Sequence, residues 1–167
     1  MSYRLVKLGE ICSLQSGGTP RRGHDEFYGG EILWAKISDL ESSNDGVVYQ
    51  TDETITEAGL KSINNRLFEA GTLLLAIYGS VGKVAFAGTQ LSTNQAILGI
   101  QEKSKEVLDL RYLKHWFVSV KDQLLHGARG VALKNLSATI VKGLEIPLPP
   151  LAEQQQIAAI LDAADSL

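Results

Sequence analysis

The chain has 167 residues, of which 44% are hydrophobic and 21% are charged, an ordinary composition for a globular protein. It contains no run of about 18 apolar residues, which argues against a membrane-spanning helix, and no N-terminal apolar segment of signal-peptide length, so we expect a cytoplasmic protein. The single cysteine, Cys12, excludes an internal disulfide, and the net charge of −3 does not by itself suggest a nucleic-acid ligand.

The first two thirds of the chain are predicted to be rich in β-structure. Apolar, β-prone runs alternate with segments that contain the glycine, proline and asparagine residues typical of turns. Residues 54–63 instead indicate a short helix with Thr54 or Thr56 at its N-cap. The strand candidates are 32–37, 46–50, 72–78, 83–87 and 96–100.

An amphipathic helix is predicted in the last third of the chain. Apolar residues recur every three or four positions between Leu113 and Leu124. Asp109 can cap the beginning of this helix and Gly127 can end it. The chain therefore combines a β-rich part with helices, which predicts an α+β fold.

A second helix is predicted after a short strand at 144–148. Pro149 and Pro150 suit the first turn of a helix, where the missing N–H has no intrahelical partner. An apolar stripe follows at helical spacing, and we expect it to pack against another helix because nothing in its own domain remains to cover it. The stripe consists of Ile157, Ile160, Leu161, Ala164 and Leu167.

The glycine-rich segment 78–83 could be a phosphate-binding loop or a tight turn. A phosphate loop of the Walker type needs a glycine where Ile77 stands and a hydroxyl residue where Val84 stands, and it should open a helix. The segment lies instead between two apolar, β-prone runs. This arrangement favours a β-hairpin whose lysine and polar residues can face a partner.

Catalytic and metal-binding patterns are absent from the sequence. The three histidines are scattered without metal-ligand spacing, and one cysteine cannot build a zinc site. There is no nucleophile-elbow motif, no dinucleotide-binding fingerprint and no nuclease-type carboxylate–x–lysine pattern. We therefore interpret the chain as a binding module with no catalytic residues of its own.

Charge is unevenly distributed along the chain. Between residues 71 and 101 the only charged side chain is Lys83, and residues 126–143 contain lysine and arginine but no carboxylate. The acidic residues are concentrated in 25–31, 39–57 and 102–109. A mildly acidic chain of this kind can still present a basic face.

Three segments contain the most specific motifs of the chain: residues 8–20, "LGEICSLQSGGTP"; residues 71–96, which end in "STNQA"; and residues 143–161, which contain "IPLPPLAEQQQIA". They resemble three parts of the target recognition domain of type I restriction–modification specificity subunits. In that order, these parts are its opening, its central hairpin with a Thr-Asn-Gln cluster, and its last strand with the start of a long spacer helix. The order and spacing of the segments match over essentially the whole chain.

The resemblance implies a function and a set of partners. Such subunits carry two recognition domains, each followed by a helix, and the paired helices set the distance between the halves of a split DNA target. They have no catalysis or cofactor of their own, and they position methyltransferase subunits, which use S-adenosylmethionine, and restriction subunits, which use ATP and Mg²⁺. By this resemblance residues 1–148 form one recognition domain and residues 149–167 begin the spacer.

The presence of one recognition domain suggests a half-subunit or a shortened form. A half-subunit could restore the two-domain layout by pairing its C-terminal helix with that of a second copy. Two-fold symmetry of that kind predicts a palindromic split target.

The residues expected to contact double-stranded DNA are polar side chains in predicted turns. Phosphate contacts come from cations and hydroxyls, and base contacts come from forked donors and acceptors. Arg129 is the strongest single candidate, because it lies in a glycine-flanked segment without a nearby carboxylate. The full set is Thr19, Arg21, Arg22, Lys36, Ser38, Asp39, Tyr78, Ser80, Lys83, Thr93, Asn94, Gln95, Arg129 and Lys134.

An alternative hypothesis remains open at this point. The chain could be a β-rich protein-interaction scaffold whose acidic surface and C-terminal helix dock partners without contacting DNA. A salt-dependent shift of duplex DNA, by the chain alone or with a methyltransferase subunit, would distinguish the two hypotheses.

Overall fold

The computed structural model describes residues 3–126 and 136–167, with only the backbone of Asn44. The strands in chain order are β1 (Leu5–Lys7), β2 (Cys12–Ser16), β3 (Tyr28–Ala35), β4 (Val47–Val48), β5 (Glu53–Ile55), β6 (Leu67–Phe68), β7 (Leu73–Ala76), β8 (Val84–Ala87), β9 (Leu91–Thr93), β10 (Ile97–Glu102) and β11 (Glu145–Pro147). The helices are α1 (Leu8–Ile11), α2 (Ile37–Glu41), α3 (Glu57–Ser62), α4 (Leu110–His126), α5 (Ala138–Lys142) and α6 (Leu151–Asp165).

The chain divides into two compact units, and the predicted α+β class is confirmed. The first unit contains Met1–Leu14 and Gln101–Leu167, and the second contains Gln15–Ile100. The boundaries fall within β2 and β10. In the part of the chain that the structure describes, no helix is long and apolar enough to cross a membrane.

The second unit is built from strands of two sheets. One sheet has the strand order β2-β10-β7-β8-β4, and the other has the order β5-β3-β9-β6. The predicted hairpin is confirmed, because β7 and β8 pair antiparallel with Leu74 opposite Ala85. A buried apolar cluster takes side chains from both sheets and from α2, and it includes Ala35, Leu40, Leu74 and Ile97.

The helix predicted at 54–63 begins later than expected. Residues Glu53–Ile55 form β5, and α3 starts at Glu57. Of the two proposed caps, Thr56 is the N-cap, and its hydroxyl oxygen accepts a hydrogen bond from the Gly59 backbone N–H at 3.1 Å.

In the first unit, β1 and β11 form a two-stranded antiparallel sheet with Val6 opposite Ile146. The predicted helix after Asp109 is observed as α4, and Asp109 Oδ1 accepts the Arg111 backbone N–H at 2.9 Å. Its predicted end, Gly127, lies outside the described residues.

Helix α6 follows Pro150, as predicted, and packs against α4. The buried side chain of Gln154 accepts the Asp109 backbone N–H at 2.9 Å and donates to the carbonyl oxygens of Val107 and Pro149, both at 2.9 Å. One amide therefore satisfies three backbone groups where the two helices begin.

Cys12 is a core residue of the first unit. Its side chain is buried, and burial raises the pKa of the thiol to about 12, with a further contribution from the carboxylate of Glu102. A thiol with so high a pKa stays protonated at neutral pH and is a poor nucleophile.

Candidate nucleic-acid interface

Two parallel strands bring separate candidate segments to one edge of the four-stranded sheet. β3 pairs in parallel with β9, with Ala35 opposite Thr93. Their carboxyl ends therefore point the same way, and the Asn94 backbone N–H donates to the Ala35 carbonyl at 2.9 Å. Lys36 and the residues after it thus lie beside the Thr-Asn-Gln cluster.

The first glycine-rich loop lies against the same edge. The Gly18 N–H donates to the Thr93 carbonyl at 2.9 Å, and the indole N–H of Trp34 donates to the Gly18 carbonyl at 3.0 Å. The Thr19 hydroxyl donates to the side-chain carbonyl of Gln95. Hydrogen bonds to Thr93, Trp34 and Gln95 therefore hold this loop in place.

The hairpin tip completes this edge. Gly79 and Gly82 have φ angles of 66° and 91°, which glycine adopts without steric penalty. The Ile77 N–H donates to the Ala96 carbonyl at 2.8 Å, and the Ser80 hydroxyl donates to a carboxylate oxygen of Glu41 in α2. We call residues 17–22, 36–41, 78–83 and 93–96 together the loop edge.

A charged cluster is attached to the loop edge through Glu53. Arg22 Nη1 and Nη2 donate to the two carboxylate oxygens of Glu53 at 2.7 and 3.0 Å. Lys36 Nζ lies 2.7 Å from Glu53 Oε2 and 3.5 Å from Asp52 Oδ2. The hydrogen bonds from Arg22 and Lys36 lower the pKa of the Glu53 carboxyl to about 2, so it is ionised at neutral pH.

The Arg22 guanidinium also contacts two aromatic rings. Its central carbon lies 4.7 Å from the centre of the Tyr28 ring and 5.1 Å from that of Trp34. Such contacts attract a cation to the negative face of the ring. Hydrogen bonds and cation–π contacts therefore both restrain this side chain.

Two cations on the loop edge differ from Arg22 and Lys36. Within residues 3–126 and 136–167, the side chains of Arg21 and Lys83 have no hydrogen-bond or ion-pair partner. Arg21 is exposed and Lys83 is half-buried. The exposed side chains of Ser38 and Tyr78 lie on the same edge. These groups are accessible to a ligand without breaking an internal bond.

The prediction that all candidates lie in turns was wrong for three residues, of which Ser38 is an exposed residue of α2 and the other two are buried. Thr93 is the last residue of β9, fully buried, with its hydroxyl donating to the Asn94 carbonyl at 3.0 Å. Asp39 lies in α2, is buried, and accepts the backbone N–H groups of Lys36 and Asp52 at 2.8 and 2.9 Å. Both side chains support the loop edge from inside.

The remaining candidates have mixed positions. Asn94 is half-buried, and its side-chain oxygen accepts the Ala96 N–H at 3.1 Å, whereas Gln95 is exposed. Arg129 and Lys134 lie outside the described residues, so their predicted DNA contacts stay predictions. The same holds for the DNA contacts of every other residue in the set.

The apolar stripe of the last helix, which was predicted to pack against another helix, is mostly exposed to solvent. Ile157 is half-buried, and the other four members are exposed, with Ile160 at 67%. The residues of α6 that are buried are Gln154 and Ala158. On the same helix Asp162 Oδ1 lies 2.7 Å from His115 Nε2 of α4.

Sequence reasoning missed two residues that support the loop edge. Glu53 joins Arg22 and Lys36, but no local pattern links it to Arg22, from which it is separated by 31 positions. Arg66 Nη1 donates to the Gly17 carbonyl at 2.9 Å, and its Nε has no hydrogen-bond partner among the described atoms. The described residues contain no cluster of three histidine, cysteine or acidic side chains able to hold a metal ion.

A mixed α+β fold with a polar loop edge defines a binding module of the kind that displays recognition loops on a rigid scaffold. The family model described as "Type I restriction modification DNA specificity domain" matches residues 2–167. The chain therefore belongs to this family, whose members are the specificity component, and not a catalytic component, of restriction–modification systems.

Individual relatives agree with this assignment. The chain is 31% identical over 165 residues to the MjaIX type I restriction enzyme specificity subunit of Methanocaldococcus jannaschii, across 99% of this chain and 38% of the relative. The chain thus spans well under half the length of that protein.

Solved structures share the fold. The HsdS subunit from Thermoanaerobacter tengcongensis has a TM-score of 0.75 at 19% identity, covering 99% of this chain and 38% of that one. A chain from a structural study of complex assembly and conformational transition of the type I restriction–modification system has a TM-score of 0.77 at 20% identity, with the same coverage. At these identities the similarity shows the fold alone.

Proposed function

We propose that the chain is a DNA target recognition module that positions methyltransferase and restriction subunits of a type I restriction–modification system on a split DNA target. The observation that carries the proposal is the match of the DNA specificity family model to residues 2–167. Relatives named as type I specificity subunits, such as the MjaIX protein, support the same role. The role requires access to cellular DNA, in keeping with a cytoplasmic protein.

The chemistry of the loop edge suits a DNA ligand. It presents hydroxyls, an exposed amide at Gln95 and the cations Arg21 and Lys83, which are unpaired within the described part of the chain. Cations and hydroxyls supply phosphate contacts, and amides and guanidinium groups supply the forked contacts that read base edges. We place phosphate contacts at Arg21 and Lys83 and base contacts at Gln95 and Arg22.

The C-terminal helix fits the role of a spacer. We propose that residues 1–148 recognise DNA and that residues 149–167 begin a helix that pairs with a second helix. Ile160 and Leu161 are exposed on α6, and Ala164 and Leu167 extend the exposed stripe. A second recognition domain or a second copy of this chain would bury it. S-adenosylmethionine, ATP and Mg²⁺ then belong to the partner subunits.

The test is a methylation map of a host that expresses the chain together with a type I methyltransferase subunit. The proposal expects one modified motif with two specific halves separated by unspecified bases, absent when the chain is omitted. A palindromic motif would indicate two copies of the chain. Unchanged methylation, combined with no shift of duplex DNA at low salt, would contradict the proposal and favour a protein-interaction scaffold.

A further inference from the structure

The Arg22 side chain differs from the other cations of the loop edge in being both restrained and accessible. Its side chain is 56% exposed, although Glu53 holds it through two hydrogen bonds. The guanidinium carbon also lies close to the rings of Tyr28 and Trp34, which restrict its movement. An exposed arginine normally samples many rotamers, and holding it in one of them removes an entropic cost of binding.

The bonds to Glu53 leave part of the guanidinium free. A guanidinium has five N–H donors in a fixed fork, and Glu53 accepts two of them. The three remaining donors include the edge formed by Nε and one terminal nitrogen. Such an edge can donate two parallel hydrogen bonds to the O6 and N7 atoms of guanine.

The charges in the cluster around Arg22 balance, so this cluster contributes little sequence-independent attraction to DNA. Arg22 and Lys36 contribute two positive charges, and Glu53 and Asp52 contribute two negative charges within 3.5 Å of them. A neutral cluster adds little to the attraction for phosphate, which depends on net positive charge. The restrained arginine is therefore suited to discriminate between bases and not to increase overall affinity.

The aromatic support is connected to the rest of the loop edge. Trp34 is buried and donates its indole N–H to Gly18, and its backbone N–H donates to the Thr51 hydroxyl at 3.2 Å. That hydroxyl donates to the Glu53 carbonyl at 2.7 Å. The backbone of Glu53, whose carboxylate holds Arg22, is thus linked through Thr51 to β3, the strand that contains Trp34.

We propose that Glu53 is a positioning residue that presents Arg22 to the base edges of the DNA target, so that the pair contributes sequence discrimination and little net attraction. This inference rests on the proposed function. It assigns different roles to adjacent residues. Arg21, whose side chain has no partner among the described residues, supplies attraction, and Arg22, which is neutralised and oriented, supplies selectivity.

The test compares Glu53→Gln with the unaltered chain, each bound to the methyltransferase subunit. The probes are two labelled 40-base-pair duplexes of equal composition, one with the motif found by methylation mapping and one with that motif scrambled. Dissociation constants are measured by fluorescence anisotropy between 50 and 200 mM salt. Glu69→Gln is the matched control, because Glu69 is an exposed carboxylate of the same unit that contacts the Gln90 amide and no cation.

Glu53→Gln is expected to bind the scrambled duplex more tightly, with a salt dependence steeper by about one unit, because a cation is released. Its preference for the target is expected to fall by about 5- to 150-fold, the loss of one oriented bidentate contact. Glu69→Gln should retain the preference. Arg22→Lys, which keeps the charge but loses the fork, should lose the preference with little change in salt dependence.

Two results would overturn the inference. One is an unchanged target preference in folded Glu53→Gln, whether or not Arg22→Lys loses it. The other is an equal loss of affinity for both duplexes, which indicates a purely structural role. If Glu53→Gln does not fold, as judged by circular dichroism, Arg22→Lys decides alone. A failure of the unaltered chain to prefer its motif would instead contradict the proposed function.

Discussion

Gly17 is packed so closely against Thr93 that a Cβ atom on Gly17 would lie 2.1 Å from both the carbonyl and the hydroxyl oxygen of Thr93. The Asn94 carbonyl oxygen would be 2.5 Å away. Two of these three atoms are backbone atoms at the end of a buried strand, which cannot rotate away as a side chain could. Glycine at this position is therefore required by contact distance.

Replacing Gly17 with alanine should consequently destabilise the second unit. The added methyl must displace the loop or the end of β9, and overpacking of this kind costs about 1–3 kcal/mol or more. The free energy of unfolding from urea titration measures the effect. Gly143→Ala is the control, because a Cβ there would meet its nearest neighbour, the Ile140 carbonyl oxygen, at an ordinary 3.5 Å. Equal losses in both variants would contradict the packing argument.

Lys83→Ala should weaken binding to all DNA sequences alike. Lys83 lies on the hairpin tip without a described side-chain partner, and loss of one phosphate contact reduces the salt slope by about one unit without changing sequence preference. Anisotropy titrations on the target and scrambled duplexes measure both quantities. Lys105→Ala, an exposed lysine in the first unit, serves as the control for general charge. A sequence-dependent loss in Lys83→Ala would show that this lysine reads bases.

Gln154→Met should destabilise the first unit strongly. Three backbone groups bond to this buried amide, and each buried group left without a partner costs roughly 1–3 kcal/mol. We expect a total loss of at least about 2 kcal/mol, measured by urea titration. The matched control is Gln155→Met, one position later and exposed, which should change stability by no more than about 0.5 kcal/mol. Equal effects would mean that the amide bonds contribute nothing specific.

The pairing of Arg22 with Glu53 should stabilise the fold at neutral pH and stop doing so in acid. The pKa of Glu53 is about 2 in the folded chain against an ordinary value of 4.5, so the contribution is complete above about pH 4.5. It decreases as pH falls from 4.5 and is lost below about pH 2.

A double-mutant cycle of Arg22→Ala with Glu53→Gln isolates the coupling free energy of the Arg22–Glu53 pair. For a partly exposed pair we expect a coupling of about 0.2–1 kcal/mol at pH 7 that shrinks by pH 3. Urea titrations at the two pH values measure it. A coupling that stays constant or grows in acid would contradict the ionic interpretation.

Cys12 should react slowly with a disulfide reagent while the chain is folded. The thiol is buried and its pKa is about 12, so very little thiolate forms at pH 8. The release of a coloured thiol from such a reagent measures the reaction. In urea the single cysteine should react fully, and its rate should follow unfolding. Fast stoichiometric labelling in buffer alone would show that the thiol is accessible.

Sequence patterns predicted the elements whose signals are local. The strands of the β7–β8 hairpin are contiguous apolar runs around a glycine-rich turn, and α4 and α6 are long enough for helical periodicity to appear. β9 gave no such signal, because it has three residues and is stabilised by pairing with distant strands. Its partner β3 lies far back in the chain, so the parallel pairing could not be inferred from neighbouring residues.

The structure brings four of the predicted candidate segments together, whereas their contacts with DNA stay predictions. The sequence did not predict the internal roles of several of their residues. The burial of Asp39 and the neutralisation of Lys36 depend on partners in the segment 51–53, which approach only after β3 and β5 have paired. Composition and spacing contain no information on such long-range partners.

The pairing of β1 with β11 has a consequence for folding during synthesis on the ribosome. β1 is translated well before its hydrogen-bonding partner, which spans Glu145–Pro147. The hairpin β7–β8 can close as soon as it emerges, whereas β1 must wait until the residues of β11 have been synthesised. Non-local contacts of this kind slow folding, so we expect the first unit to be completed after the second during synthesis.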